Sequence, residues 1–206
     1  MARIFTVIIV LIVFSRAYAG EAPPKVPFDS VDWPALSSVK PTIGISMGSF
    51  DVLYEKTPLG EIRDKIGSGV IKHQGDAAES TYWLCYTTKE ERVWVLSGEM
   101  GGSKNAVLNV AVESGEFKSS QACPMLPNGF QPLSFDNGLW VGASEESVLK
   151  LLGRPSHTED QWLSFDYAGK ETGFCKPWGA DVMNWALVKI TNGHVVAIHA
   201  GQVTSC

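Results

Sequence analysis

The sequence has few of the features that mark metal sites, redox sites or nucleic-acid binding. Its 206 residues include 17 Lys and Arg against 22 Asp and Glu, which gives a net charge of −5. A protein with this acidic balance has no electrostatic attraction to nucleic acid. No CxxC or HExxH spacing occurs, and no glycine-rich loop ends in G-K-[ST]. We therefore predict no metal, no cofactor and no nucleic-acid partner.

Long apolar runs are also missing, except at the N-terminus. A short basic start, a mostly apolar run over residues 4–14 and an A-x-A cleavage site at residues 17–19 predict a secretory signal peptide over residues 1–19. The run is shorter than the roughly 20 residues that cross a bilayer. No lipid-attachment cysteine follows it. We expect a periplasmic or secreted protein with no membrane span after cleavage, and a retained N-terminal anchor is the alternative.

Two segments have the pattern of short capped helices. Residues 142–155 begin with Ser144, whose hydroxyl is suited to cap the first turn, and they end at Gly153. Residues 57–67 begin with Thr57 as a cap and Pro58 at the first helical position. Alternating or β-branched patterns predict strands in both halves of the chain, at residues 81–86, 92–96, 106–112, 116–121, 162–165, 185–190 and 194–199.

The two halves are similar enough to predict a tandem duplication. The aligned positions are Gly67 with Gly153, Trp83 with Trp162, and residues 110–115 with residues 188–193. Chance similarity between two segments of the same class is the alternative. We predict an α+β fold of two tandem units, each with a short helix or helix pair packed on an antiparallel β-sheet. The predicted divisions are a signal peptide at 1–19, an extended leader at 20–41, a first unit at 42–125 and a second unit at 126–206.

The predicted mature chain holds four cysteines, Cys85, Cys123, Cys175 and Cys206. An even number of cysteines in a secreted protein predicts two disulfides. Four cysteines allow three pairings, and the sequence alone does not choose between them. One bridge inside each half is the simplest assignment if the chain is a duplication.

The helix pattern of residues 142–155 and the closing segment 192–198 resemble the BamE/SmpA/OmlA-like envelope proteins. Two such units in tandem in a disulfide-bearing chain resemble the architecture of the beta-lactamase inhibitor proteins (BLIP). The resemblance implies a fold of this kind and a habit of binding other proteins, with the concave face of the sheet as the partner site. It implies no target, and no family site residue matches a position here. Residues 75–86 also resemble a group of uncharacterised bacterial secreted proteins.

One motif raises the alternative of an enzyme. Residues 44–48 satisfy G-x-S-x-G, with Ser46 at its centre. A nucleophile elbow needs a strand before the serine and a helix directly after it. Here a linker precedes the motif and residues 50–54 follow, so we predict no catalytic residue. A small secreted hydrolase that uses Ser46 and a ligand-binding envelope protein with an apolar pocket are the alternative functions.

The seven tryptophans carry the remaining functional signal. Four of them lie in predicted strands and are expected in the core or half-buried, namely Trp83, Trp94, Trp162 and Trp185. Trp140 and Trp178 lie near loops beside glycines, and exposed aromatic side chains on a rigid sheet are good interface anchors. Both are candidates for contact with a partner, and packing in the core is the alternative for each of them. The sequence thus indicates a non-enzymatic protein-binding module, an enzyme inhibitor or envelope assembly factor, whose partner is another envelope or secreted protein.

Overall fold

The computed structural model describes residues 22–25, 37–76, 79–172 and 179–206. The predicted signal peptide, most of the predicted leader, Cys175 and Trp178 lie outside the described residues. The helices are α1 (Leu59–Ile66) and α2 (Glu145–Leu152). The strands are β1 (Gly44–Met47), β2 (Phe50–Leu53), β3 (Lys72–Gln74), β4 (Thr81–Thr87), β5 (Glu91–Gly98), β6 (Asn109–Ser114), β7 (Leu133–Phe135), β8 (His157–Glu159), β9 (Trp162–Glu171), β10 (Ala180–Thr191) and β11 (His194–Ser205).

Eight of these strands form one antiparallel sheet, the large sheet, in the order β3-β4-β5-β6-β11-β10-β9-β8. Its centre is the pairing of β6 with β11, where Ala111 lies opposite His199. The predicted fold of two tandem units, each with its own sheet, is therefore wrong, and the described chain is mostly β. The physical reason is that β6 and β11 each have an unpaired edge, and pairing them satisfies the backbone groups of both.

The remaining three strands form a small sheet in the order β2-β1-β7. In it β1 pairs with β7, so that Ile45 lies opposite Phe135. Strand β7 follows the predicted division at residue 125, whereas β1 precedes it. Both sheets thus contain strands from the two sides of that division. The division itself and the tandem duplication stay predictions.

The main hydrophobic core lies between one face of the large sheet and a layer made of the small sheet and both helices. Alternate residues of β4, β5, β6, β9, β10 and β11 point into it, as expected for the two-residue period of a strand. Helix α1 contributes Leu59, Ile62 and Ile66, and α2 contributes Val148. We call the opposite face of the large sheet the outer face.

Both predicted helices are present. The Ser144 hydroxyl accepts a hydrogen bond from the Ser147 N–H at 3.2 Å, which confirms the predicted cap of α2. Gly153 ends α2 with φ +80°. The predicted cap of α1 is wrong, because Pro58 takes the capping position and the Thr57 hydroxyl instead accepts from the Leu53 N–H at 3.0 Å. That bond ties the end of β2 to the start of the helix.

Residues 116–121 were expected to form a strand, and this prediction is wrong. After Gly115 the chain leaves the large sheet, because the edge of β6 is already occupied by β11. The chain returns across the outer face, where Cys123 packs with Trp83 and Trp94 and forms a disulfide with Cys85. This confirms the predicted bridge within the first half. Cys206 is also disulfide-bonded.

Candidate functional site

The outer face of the large sheet carries all four strand tryptophans, but it does not expose them. Trp83, Trp94 and Trp162 are only 7%, 3% and 9% exposed, and Trp185 is half-buried. Cys123 packs on the first two. The expectation that these four tryptophans are buried or half-buried is confirmed. Since little of their surface is accessible, they are poor candidates for contacts with a partner.

A cleft of about 470 Å³ lies on the same face. Pro23, Pro24, Leu96, Trp185 and His199 line it, and the two prolines are themselves half-buried. Residues of the chain's own N-terminal part therefore already cover some of this surface. A site that is free for another molecule has to be sought elsewhere.

Of the two predicted contact residues, Trp140 is the one within the described chain. It lies on the surface with 50% of its area exposed. Its neighbours Leu139 and Val141 are buried. An extended chain places alternate side chains on opposite sides, so burial of both neighbours directs Trp140 outward. The Asn137 side-chain oxygen accepts from the Leu139 N–H at 2.8 Å, and the Leu139 carbonyl accepts from the Phe135 N–H at 2.8 Å. These bonds fix the segment that presents the indole.

Gly142 makes room for the indole ring. A Cβ atom at this position would lie 2.6 Å from the Cζ3 atom of Trp140, and its φ is +101°. Glycine is the residue that accepts both the contact and this backbone conformation. The Gly142 N–H donates to the Val195 carbonyl at 2.8 Å, which ties the turn to the start of β11.

The indole stands in a groove of about 970 Å³ between the end of the large sheet and the edge of the small sheet. We call it the Trp140 groove, and it is lined by Glu91, Met125, Leu133, Trp140, Gly142 and Val195 among others. Met125 is 46% exposed, whereas the adjacent Leu126 is fully buried and its N–H donates to the Thr87 carbonyl at 2.7 Å. Two large apolar side chains thus face solvent in one groove on firmly held backbone. That is the usual composition of a binding surface.

Glu91 is the unusual charge in this groove. It lies on the same side of β5 as the buried Val93, at the rim of the main core. Burial in this apolar setting, together with the neighbouring Glu90 carboxylate, raises the pKa of Glu91 from its ordinary 4.5 to about 7. Among the described residues no side chain forms a hydrogen bond or ion pair with its carboxylate. A carboxyl group with a strongly raised pKa in a groove marks a candidate functional site.

We expect Glu91 to make stability depend on pH. Because the pKa of Glu91 is raised on folding, its ionisation destabilises the folded state. The contribution of Glu91 to the free energy of unfolding should therefore be largest below pH 4.5 and should fall as the pH rises through about 7. Glu91→Gln should remove this fall and stabilise the protein at pH 8 by about 1 kcal/mol, allowing for solvent screening. Urea unfolding at pH 5 and pH 8 measures the difference, with the exposed Glu116→Gln as control. An equal effect of Glu91→Gln at both pH values would contradict the assignment.

Sequence reasoning found Trp140 but missed Met125 and Glu91. Met125 stands between Pro124 and Pro127, at the predicted division between the two units. Glu91 follows Glu90 at a hairpin, where acidic residues are ordinary. Neither position has a local pattern that indicates a groove. The segments that line it come together only through the pairing of distant strands.

The structure does not give Ser46 the setting of a nucleophile. It lies inside β1, which continues through a tight turn into β2, and not at a turn between a strand and a helix. Its hydroxyl donates to the Asp51 carboxylate at 2.6 Å. A nucleophile elbow requires a different local geometry. No observation on the described residues therefore favours the hydrolase alternative.

Within the described ranges 22–25, 37–76, 79–172 and 179–206, no group of three or more His, Cys, Asp or Glu side chains is arranged to hold a metal ion. No helix there combines the length and the apolar character that crossing a membrane requires.

Comparisons with known proteins give one structural likeness. No protein-family model matches the chain, and no curated protein matches it. The resemblance to BamE-like envelope proteins thus has no support from these comparisons. A solved structure from Streptococcus mutans, described as a "putative beta-lactamase inhibitor protein", has 8% sequence identity and a TM-score of 0.26. The match covers 79% of this chain and 90% of that one. At this sequence identity and TM-score the likeness carries no argument about function, which has to come from the site itself.

Proposed function

We propose that this protein is a protein-binding module and that its partner contacts the Trp140 groove. The observation that carries the proposal is the pair Trp140 and Met125, both about half exposed in one groove. Large aromatic side chains that become buried on binding dominate the energy of protein interfaces. Methionine is enriched at such interfaces as well.

The rigidity of the groove supports the same proposal. Trp140 is held by buried neighbours and by Gly142, and Met125 by the buried Leu126. Side chains on backbone that is already ordered lose less conformational entropy when they bind. An indole presented in this way gains more from a partner than one on a mobile loop would.

We propose further that the partner is another envelope or secreted protein, either an enzyme that is inhibited or a component of envelope assembly. The support is the signal-like N-terminal sequence together with the Cys85–Cys123 disulfide. Disulfides of this kind persist in oxidising compartments. Secretion and the absence of enzymatic activity belong to this proposal.

The test is capture of a partner followed by measured binding. The oxidised protein is immobilised and exposed to envelope extract of the source organism, and retained proteins are identified by mass spectrometry. The affinity of each one is then measured for the wild type and for Trp140→Ala. Loss of a central aromatic anchor should weaken binding at least tenfold, or about 1.4 kcal/mol.

The matched control is Met183→Ala, because Met183 is 51% exposed but does not line the groove. It should leave the affinity unchanged. If Trp140→Ala and Met183→Ala bind every captured protein as tightly as the wild type does, the groove is not the binding site. An enzyme among the captured proteins is assayed with and without the module, which distinguishes an inhibitor from an assembly factor.

A further inference from the structure

The chemistry of the Trp140 groove indicates what kind of side chain fits it. At the rim of the main core Glu91 has no ion-pair partner within the described chain. The exposed Glu90 also lines the groove, and Lys89 is the cation beside them. Above pH 7, where Glu91 is ionised, the two carboxylates outweigh the one ammonium among the described residues that line the groove, in a chain whose formal net charge is −5. A positively charged group of a partner would be attracted here.

The aromatic and apolar side chains of the groove indicate which positively charged side chain of a partner fits it. A cation placed over the face of an indole is attracted by the ring's electrons, and tryptophan is the strongest aromatic partner for such contacts. Of the two cationic side chains, arginine has a planar guanidinium that stacks on aromatic rings and forms two hydrogen bonds with one carboxylate. Met125 and Leu133 offer apolar contacts on the same groove. Apolar residues of the partner that flank the arginine would pack against these two side chains.

We propose that the Trp140 groove accepts an arginine side chain of the partner, flanked by apolar residues, with the guanidinium between the Trp140 indole and the Glu91 carboxylate. This inference rests on the proposed function, because it names the partner's chemistry at the same groove. The raised pKa of Glu91 is consistent with it, since burial and the neighbouring Glu90 carboxylate both destabilise the ionised form. A bound guanidinium supplies a counter-ion for that form.

The test uses short peptides as probes and the Trp140 side chain as the reporter. The peptide Ac-Leu-Arg-Leu-NH2 is titrated into the oxidised full chain at pH 8, where Glu91 is ionised, and the indole N–H signals are followed by NMR. Trp140→Phe identifies the signal of Trp140. The control peptides replace arginine by citrulline, which has the same shape without charge, or by glutamate.

We expect a saturable shift of the Trp140 signal with the arginine peptide, at least fivefold weaker binding of the citrulline peptide and none of the glutamate peptide. Glu91→Gln should remove the preference for arginine over citrulline, whereas the exposed Glu116→Gln should retain it. Three outcomes would overturn the inference. Equal binding of the arginine and citrulline peptides would do so and would leave the groove a peptide site without a preference for charge. Preference for the glutamate peptide would assign the site to Lys89 and an acidic partner instead. No shift with any peptide up to about 20 mM would overturn the inference, since even weak contacts of about 2–3 kcal/mol are detected there. The capture experiment decides the proposed function separately.

Discussion

Removing the Cys85–Cys123 disulfide should lower the free energy of unfolding by about 3–4 kcal/mol. The two cysteines are separated by 38 positions, so the bridge closes a long loop in the unfolded chain. A closed loop reduces the entropy of the unfolded state, and the reduction grows with loop length. The bridge also holds Cys123 against Trp83 and Trp94 on the outer face. Its loss should therefore expose both indoles.

The measurement is urea unfolding of the oxidised wild type and of the double variant Cys85→Ala/Cys123→Ala. Chemical reduction is unsuitable, because Cys206 is disulfide-bonded as well. The control is Ser119→Ala, an exposed position shortly before Cys123, which should change stability by less than about 0.5 kcal/mol. A red shift of tryptophan fluorescence in the folded double variant would report the uncovered indoles. A loss of stability below about 1 kcal/mol would contradict the role assigned to the bridge.

The second large effect should come from Glu55, which joins the small sheet to the end of β11. Its carboxylate accepts hydrogen bonds from the Gln202 side chain at 2.6 Å, the Thr204 N–H at 2.5 Å and the Thr204 hydroxyl at 2.7 Å. The same network continues to Asn184, which is buried and donates to the carbonyl of Thr42 at 2.6 Å. Asn184 joins this network by donating to the Gln202 side-chain oxygen at 3.2 Å. The network as a whole thus connects the turn after β2, β11, β10 and the residue Thr42.

We expect Glu55→Ala to cost about 2–3 kcal/mol, because hydrogen bonds to a charged acceptor are strong and the partners left behind are partly buried. Glu55 has φ +59°, a left-handed conformation that costs alanine about as much as glutamate. The difference therefore reports the lost hydrogen bonds and not a change in backbone strain. Glu55→Gln retains one acceptor oxygen and should cost about 1 kcal/mol.

Urea unfolding measures both Glu55 variants. Lys56→Ala serves as the control, because it changes the next, exposed residue of the same turn. We expect the order of stability to be wild type, Glu55→Gln, Glu55→Ala. Equal stability of wild type and Glu55→Ala would show that the network adds nothing beyond what water supplies to the separate groups.

Local features of the fold were predictable because nearby residues determine them. The cap at Ser144 and the exit at Gly153 depend on side chains within one helix turn. The hairpin turn at Asn192 and Gly193 has positive φ at both residues, as such a dipeptide favours. The Cys85–Cys123 pairing, by contrast, joins residues 38 positions apart, and the structure selects it from the three pairings that the sequence left open.

The exposed Trp140 was predictable only as a residue, and the groove around it was not. Trp140 stands in a short segment between Gly138 and Gly142, which indicates a surface turn. The groove is lined by residues of β5, β7 and β11, which belong to two different sheets and are far apart in the sequence. The strand expected at residues 116–121 is a local prediction that failed. The composition of this segment favours a strand, but both edges of the preceding strand β6 are already paired.

The sequence by itself determined the two helices, most of the strands and the turn before β11. It determined them because capping, periodicity and turn geometry act over a few residues. Only the tertiary structure decided that β6 pairs with β11 and that β7 joins β1, so that the chain forms shared sheets in place of two separate units. Such pairings depend on which distant strand edges meet and which faces they bury together, and no short stretch of sequence encodes that choice. The raised pKa of Glu91 and the groove beside Trp140 are consequences of the same pairings.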